Sequence, residues 1–456
     1  MTETAGNETG SEGAGGYRPA GEGARDDRPA GAGIGGRAFL RLILIGALIG
    51  IPAALLAAGF LTLVHQLQEL LWEDLPNELG RSTPPWYLVV GLPVVGALIV
   101  VAARRLLPGD GGHRPIDGLS SAPTPASYGP GVALAALGSL PFGAVLGPEA
   151  PLIALGSVLG MAVAPRFELD AQQMTVLATA GSFAAIAALF GGPIVAGVLL
   201  LEAGVGMGAA LIPALLPGLV SAAIGYLIFV GLGNWGGLEQ TILTVPGLPV
   251  YEGTHLLDLL VGLVAGVVIA LLLAGVRLVA ARVAALAGGR LSVERALVGG
   301  ALAIGLVALI AEGLGAQSKD VLFSGQETVP EIVAEGSVGV ILVIVIGKAI
   351  GYAISLGCGF RGGPVFPAIL LGVGVASVAV ALFDVSPTLA VAVGTAAGMA
   401  AMTRLLFASL FFAMLLVGTH GLDAAPAAVL AAAAAWVTTA GLERSAQARA
   451  APRSAT

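Results

Sequence analysis

The composition of this 456-residue chain is that of a membrane protein. Hydrophobic residues make up 57% of it and charged residues only 11%, which is too little charge for the surface of a soluble domain of this size. The formal net charge of −7 gives no indication of a nucleic-acid partner. The sequence therefore predicts a polytopic protein whose surroundings are the lipid bilayer.

Neither disulfides nor a metal centre is expected. The single cysteine, Cys358, excludes an internal disulfide and a thiolate metal cluster. The four histidines are scattered along the chain, which disfavours a histidine metal site. No cofactor is predicted.

The first elements are a tail and two long spans. Residues 1–36 contain almost no large apolar residue and predict a disordered tail. Residues 42–64 and 86–103 have the length of ordinary membrane spans, roughly 20 apolar residues. Arg37 and Arg41 before the first span, with arginines near the C-terminus, predict that both termini are cytoplasmic.

From Gly131 onward the apolar segments become shorter, because Gly or Pro interrupts them at 141–151, 191–193 and 213–218. Long segments return at 259–276 and 296–310. They are followed again by short ones, at 338–346, 364–381, 389–402, 405–417 and 426–440.

This order predicts two structural repeats, 37–235 and 255–441, joined by a polar connection at 233–254 and followed by a short polar tail at 442–456. Broken helices in corresponding parts of two repeats indicate a central site at the repeat interface. The alternative is that short Gly-rich helices only pack tightly.

Glu149 is the most informative residue of the broken segments. It follows Gly147-Pro148 between two apolar runs, at the predicted start of a helix. A helix start offers free N–H groups and partial positive charge, which together form an anion site. A carboxylate that occupies such a site could compete with a mobile anion and so act as a gate. The alternative is a helix-capping charge that does not move.

Several ordered motifs resemble the CLC family of chloride channels and chloride/proton antiporters. Residues 143–156 are similar to the family pattern G-x-x-x-G-R-E-G-P-x-x-x-x-G, although Pro148 stands for its arginine and Ala150 for its glycine. Residues 190–197 with Glu202 resemble a second family segment. Residues 347–348 and 359–367 resemble a G-K run followed by G-x-x-G-G-x-F-x-P.

The resemblance implies an all-α, CLC-type fold with two inverted repeats of tilted and half-length helices, and a homodimer with one pore per subunit. It implies transport of a small inorganic anion, with chloride expected, across the plasma membrane. The chain is not expected to be an enzyme, since it lacks H-E-x-x-H and G-x-S-x-G. A cation carrier is disfavoured because cation sites need carboxylates and carbonyls.

The resemblance also assigns site residues. Glu149 matches the gating glutamate. In the first half, anion-binding backbone groups are expected at Gly147 and in the loop 109–115, where Gly112 stands at the position of the anion-coordinating serine. The N–H groups of Gly111, Gly112 and His113 could still hold an anion. His113 and Arg114 either add positive charge to the site or belong to a surface loop.

In the second half, Val365 takes the position of the filter phenylalanine and Phe366 is displaced by one residue. Their N–H groups are candidate anion donors. Arg361 either attracts anions or pairs with a loop carboxylate. Lys348 either pairs or caps a helix C-terminus, or contacts the anion directly.

Two family residues have no match. The pore tyrosine is missing, since no tyrosine follows Tyr352, and Ala203 stands where antiporters carry an inner proton-transferring glutamate. Glu202, one residue earlier, is expected to be structural. Ala203 favours a passive channel. The alternatives are a proton-coupled exchanger, or transport of a different anion such as fluoride.

Overall fold

The structure, a computed structural model, describes residues 36–120, 122–204, 211–236, 243–289 and 292–450. The described residues are predominantly helical and contain no β-strand longer than one isolated bridge. The predicted disordered tail lies almost wholly outside them, as does the centre of the polar connection at 237–242.

Seventeen α-helices form the described part of the chain. Those of the first half are α1 (Gly36–Glu69), α2 (Leu75–Glu78), α3 (Trp86–Leu106), α4 (Gly129–Ser139), α5 (Glu149–Val163), α6 (Ala171–Phe190), α7 (Pro193–Ala203) and α8 (Leu211–Gly236). Those of the second half are α9 (Leu256–Gly289), α10 (Val293–Gly313), α11 (Ser318–Val321), α12 (Thr328–Ala334), α13 (Val338–Cys358), α14 (Val365–Phe383), α15 (Pro387–Thr403), α16 (Leu406–Val417) and α17 (Ala425–Ala450).

Ten helices of the described chain are long and apolar enough to cross a membrane. Many large apolar side chains on their outer surfaces are exposed, as expected where lipid replaces water. The protein is therefore an integral membrane protein. The prediction of an all-α polytopic fold is confirmed.

Two helices are longer than the sequence pattern predicts. The apolar segment at 338–346 continues as α13 to Cys358, through Gly347 and Lys348. The glycine does not break the helix because it lies against Val321, and the lysine is buried with hydrogen-bond partners. Helix α17 continues to Ala450, so the predicted polar tail begins inside a helix.

The two halves repeat one packing scheme. Helix α1 packs against α5, α6 and α8, and α9 packs in the same way against α14, α15 and α17. The pairs α5–α6 and α6–α8 correspond to α14–α15 and α15–α17. The halves meet where α3 contacts α10 and where α7 contacts α16.

Reciprocal contacts show that the halves are related by an approximate two-fold axis. Gly147 and Gly363 form an isolated antiparallel bridge and exchange N–H···O bonds in both directions. Beside it, the N–H of Arg361 donates to Ser139 Oγ at 2.9 Å, and the N–H of Val145 donates to Ser355 Oγ at 2.9 Å. Each serine stands eight residues before the bridging glycine of its own half. Such an exchange of equivalent partners is what a two-fold relation produces.

Glycines set the helix spacing at equivalent crossings in each half. A Cβ at Gly181 of α6 would overlap the carbonyl oxygen of Gly156 in α5. In the second half a Cβ at Gly372 of α14 would overlap the carbonyl oxygen of Gly394 in α15. Backbones that approach this closely gain van der Waals contact, which drives helix association in a bilayer.

We therefore expect Gly181→Ala to destabilise the protein by roughly 1–3 kcal/mol, because the added methyl group must push α5 and α6 apart. The measurement is the apparent melting temperature of purified protein in detergent, which should fall by several degrees. Gly275→Ala is the matched control, since a Cβ at Gly275 meets no atom within 4 Å. Equal melting temperatures for the two variants would contradict this role of the glycine crossing.

Candidate functional site

The carboxylate of Glu149 lies between the N-termini of two helices, one from each half. Glu149 is the first residue of α5, and its side chain is completely buried. Its Oε1 atom accepts hydrogen bonds from the N–H groups of Val365 at 2.9 Å and Phe366 at 3.1 Å, the first two residues of α14. The Glu149 carboxylate is thus in direct contact with the two N–H groups that the sequence analysis named as candidate anion donors.

The local sequence explains why both helices begin at this point. Residues 147–151 and 363–367 share the pattern Gly-Pro-x-x-Pro. Pro148 is the residue immediately before α5 and Pro364 the residue immediately before α14, and the two have nearly the same backbone angles φ and ψ. Because α14 has no earlier turn, the N–H groups of its first residues have no partner inside the helix. This duplicated motif is a sequence signal for the two halves of the site.

Gly147 and Gly363 leave space for the carboxyl group. A Cβ on either residue would overlap Glu149 Oε2. The sequence analysis placed an anion-binding backbone group at Gly147. The structure corrects this, because the N–H of Gly147 donates to the carbonyl oxygen of Gly363 at 2.8 Å and is not free. Gly147 shapes the site by lacking a side chain.

The second carboxylate oxygen, Oε2, has no hydrogen-bond partner among the described residues. An unpaired buried oxygen carries a cost in free energy, which is larger in a membrane than in water-accessible protein. The partial positive charge at the start of α14 offsets part of that cost for the ionised form. The carboxylate is therefore held through one oxygen only.

Aromatic rings line one side of this site. Phe366 contacts Phe190, the last residue of α6, with ring centroids 5.9 Å apart. Phe190 in turn packs edge-on against Phe412 of α16 at 4.4 Å. All three rings are buried. Phe190 begins the 190–197 motif, but the sequence analysis named neither Phe190 nor Phe412 as a site residue, because a buried phenylalanine in an apolar run carries no signal of its own.

The loop after α3 does not supply a free N–H at Gly112. Residues 109–112 all have positive φ, which coils the backbone into a tight left-handed turn. Within that turn the N–H of Gly112 donates to the carbonyl oxygen of Gly109 at 2.9 Å. The expected anion donor at Gly112 is therefore engaged, which corrects the sequence analysis. Gly111 is buried against Arg361 and Ala135.

His113 and Arg114 lie on the surface of the same loop. Both residues are exposed, and the Arg114 guanidinium is 4.0 Å from the Asp117 carboxylate. The structure places neither side chain in contact with Glu149. Of the two alternatives for these residues, the surface-loop position is the one observed.

Arg361 ties the two loops of the site together. Its side chain is only 3% exposed, and its guanidinium donates to the carbonyl oxygen of Asp110 at 2.6 Å and to the Asp110 carboxylate at 3.0 Å. Arg104 also binds that carboxylate, at 2.7 and 3.0 Å. The pairing of Arg361 with a loop carboxylate is thus the alternative observed. The charge of Arg361 holds the loop after α3 against the loop before α14.

Lys348 is completely buried in the middle of α13. Its ammonium group donates to the carbonyl oxygens of Leu322 at 2.6 Å and Phe323 at 3.3 Å, immediately after the short helix α11. Bonding to carbonyls at a helix C-terminus is one of the roles considered for this lysine. The observed partners of Lys348 are backbone carbonyls, well separated in sequence from the Glu149 site.

Glu202 binds the N-terminus of α16. Its carboxylate accepts N–H bonds from Leu406, Phe407 and Ala408 at 2.5–3.2 Å. Glu149 binds the N-terminus of α14 in the same way. Glu202, however, lies at the C-terminal end of α7, whereas Phe190 precedes the N-terminal end of that helix. The contacts agree with the structural role expected for Glu202. Ala203 ends α7 beside it.

The fold and the site together define a class of protein: a polytopic membrane protein of two related halves, with a carboxylate held at a helix N-terminus between them. Residues 109–439 match the family model described as "Voltage gated chloride channel". The match covers well over half of the chain, and the chain belongs to this family, that of the CLC anion transport proteins.

Relatives and solved structures agree with this assignment. The chain is 27% identical to the protein named "Putative ion-transport protein YfeO" of Escherichia coli (strain 55989 / EAEC), over 74% of this chain and 78% of that protein. A slow cyanobacterial Cl−/H+ antiporter has the same fold, with a TM-score of 0.72 at 17% identity over 88% of this chain and 95% of that one. A CLC-type fluoride/proton antiporter gives 0.68 at 21% identity over 88% and 96%.

The arginine pairs of Asp110 lead to a stability prediction. Asp110→Asn keeps the shape of the side chain and tolerates positive φ, but it removes the counter-charge of the buried Arg361. We expect a loss of about 1–2 kcal/mol, since Asp110 itself is 60% exposed and solvent screens part of the pair.

The measurement is again the apparent melting temperature in detergent. Asp117→Asn is the control, because Asp117 and Arg114 are both 55% exposed and 4.0 Å apart, which makes their pair worth little. If the melting temperature of Asp110→Asn is no lower than that of Asp117→Asn, the pairing of Asp110 with Arg361 does not contribute to stability.

Proposed function

We propose that the protein transports a small inorganic anion, with chloride as the expected substrate, and that Glu149 gates the site. One observation carries the proposal: the buried Glu149 carboxylate accepts hydrogen bonds from the first two N–H groups of α14. These donors are the ones that a mobile anion would need. The Glu149 side chain therefore fills the position that a mobile anion would take at the start of α14.

The physical basis is competition between two negative charges for one set of donors. The N–H groups of Val365 and Phe366 and the positive end of the α14 dipole favour any anion of suitable size. While the ionised carboxylate is present, a mobile anion is excluded by repulsion and by volume. Protonation removes the charge of the carboxyl group, so its attraction to the helix N-terminus falls and the side chain is released.

The surroundings support a group that moves. Oε2 lacks a partner among the described residues, and the glycines at 147 and 363 leave the carboxyl group no side chain to lock against. In contrast, Glu202 is held through both oxygens by three N–H groups of α16. A carboxylate held by one oxygen needs to break fewer bonds to leave than one held by two.

Two observations favour different modes of transport. Ala203, at the position of the family's inner proton-transferring glutamate, favours passive conduction. The solved proteins of the same fold favour exchange, because one is a Cl−/H+ antiporter and another a fluoride/proton antiporter. The second of these makes fluoride the alternative substrate. By the same resemblance we propose a homodimer in the plasma membrane. The arginines near both ends of the chain favour cytoplasmic termini.

The test is anion efflux from liposomes that contain the purified full-length protein, with the anion and the external pH recorded together. We expect chloride to leave the liposomes. Passive conduction predicts no change in pH, and exchange predicts proportional proton uptake that Glu149→Gln abolishes. Flux of fluoride without flux of chloride would assign the alternative substrate. If neither chloride, fluoride nor nitrate moves, the proposed function is wrong.

Glu149→Gln should also remove the dependence of flux on pH. In the unaltered protein, acidification should raise the flux severalfold, because the protonated carboxyl group no longer competes for the α14 donors. The glutamine variant cannot ionise, so its flux should be constant over the same range. Glu202→Gln is the matched control, since it alters another carboxylate that caps a helix N-terminus. A pH dependence that persists in Glu149→Gln would mean that another group is the gate.

A further inference from the structure

Tyr352 lies directly behind the proposed anion site. It is on α13, its side chain is completely buried, and its hydroxyl oxygen is 2.7 Å from the carbonyl oxygen of Pro364. A carbonyl oxygen cannot donate, so the tyrosine O–H must be the donor of this bond. The sequence analysis noted Tyr352 only as the last tyrosine of the chain.

The carbonyl of Pro364 and the N–H of Val365 belong to one peptide group. The Tyr352 hydroxyl donates a hydrogen bond to the oxygen of this peptide group. The N–H of the same group donates to Glu149 Oε1, with the nitrogen and oxygen 2.9 Å apart. In a planar trans peptide these two bonds point to opposite sides, so they form a continuous chain: O–H to C=O, then N–H to carboxylate. Withdrawal of electron density from the carbonyl oxygen makes the N–H more acidic and a stronger donor.

The other half of the protein has no such arrangement. Pro148 occupies the place of Pro364, and its carbonyl oxygen accepts the ordinary helix bond from the N–H of Leu152 at 3.1 Å. The residue at the place of Tyr352, eleven positions before the bridging glycine, is Ala136. The tyrosine is therefore a feature only of the half that supplies the N–H donors.

We propose that Tyr352 is a positioning residue that sets the strength and selectivity of the anion site through the Pro364–Val365 peptide group. The inference rests on the proposed function, since it assumes that a mobile anion uses the Val365 N–H. A stronger donor helps a strongly basic acceptor more than a weakly basic one. Tyr352 thus favours small, strongly hydrogen-bonding anions such as fluoride over larger ones such as chloride.

The test uses Tyr352→Phe, which removes only the hydroxyl group. Both the variant and its parent carry Glu149→Ala, so that no carboxylate competes for the donors. We expect the half-saturating fluoride concentration, measured by liposome flux and by calorimetric titration with sodium fluoride, to rise roughly two- to fourfold. The corresponding value for chloride should rise less, and the maximal rate should not change.

Tyr251→Phe in the same background is the control. Tyr251 is also buried, and its hydroxyl donates to the Asp258 carboxylate at 2.6 Å, away from α14. Both substitutions should lower the melting temperature, because each deletes a buried hydrogen bond. Only Tyr352→Phe should change the affinity and the ratio between the two anions.

A second measurement covers the case that Tyr352→Phe does not fold. Replacement of Tyr352 by 3-fluorotyrosine keeps the hydrogen bond and makes the phenol a stronger donor, so fluoride should bind more tightly. The inference is overturned if the protein with 3-fluorotyrosine at position 352 and the protein with ordinary tyrosine bind fluoride equally well. It is also overturned if Tyr352→Phe leaves the affinities for fluoride and chloride unaltered. If the unaltered protein neither binds nor moves any anion, the proposed function fails, and the inference fails with it.

Discussion

A carboxylate bound by the first N–H groups of a helix, inside a membrane, is the interaction on which the rest of the structure depends. An ionised side chain in this environment must be compensated, and the amides of Val365 and Phe366 at the start of α14 provide that compensation. For the donors to be free, α14 must begin in the middle of the protein. For the carboxylate to reach them, α5 must begin opposite. The two helix starts that face each other inside the protein follow from this requirement.

The two-fold relation is symmetric where it builds the scaffold and asymmetric where it builds the site. The Gly147–Gly363 bridge and the reciprocal serine bonds hold the two loops in the same way from either side. At the first helical position, however, one half has Glu149 and the other Val365. The first supplies a carboxylate and the second supplies N–H groups that bind it. Tyr352 and Arg361 are further asymmetric residues of the donor half: Tyr352 bonds the Pro364 carbonyl within that half, and Arg361 bonds Asp110 of the other half.

Sequence reasoning named Glu149, Val365 and Phe366, which the structure brings into direct contact, because helix breakers beside an intramembrane acid have a direct physical meaning. Their roles as gate and anion donors remain predictions. It was less successful for residues whose role depends on a distant partner. Whether Arg361 attracts an anion or pairs with Asp110 could not be decided without knowing that the two loops meet. The N–H groups of Gly147 and Gly112 looked available in the sequence, but tertiary structure and turn geometry occupy them.

The sequence by itself determined the membrane class, the all-α architecture and the acid at a helix start, because hydropathy, glycine and proline act locally along the chain. Only the tertiary structure decided which N–H groups are free, which charges are paired, and that Tyr352 stands behind the donor peptide. These properties join residues separated by up to 251 positions, such as Glu149 with Val365, Val145 with Ser355 and Arg361 with Asp110. A local pattern contains no record of such distances, since they are set by the packing of one half against the other.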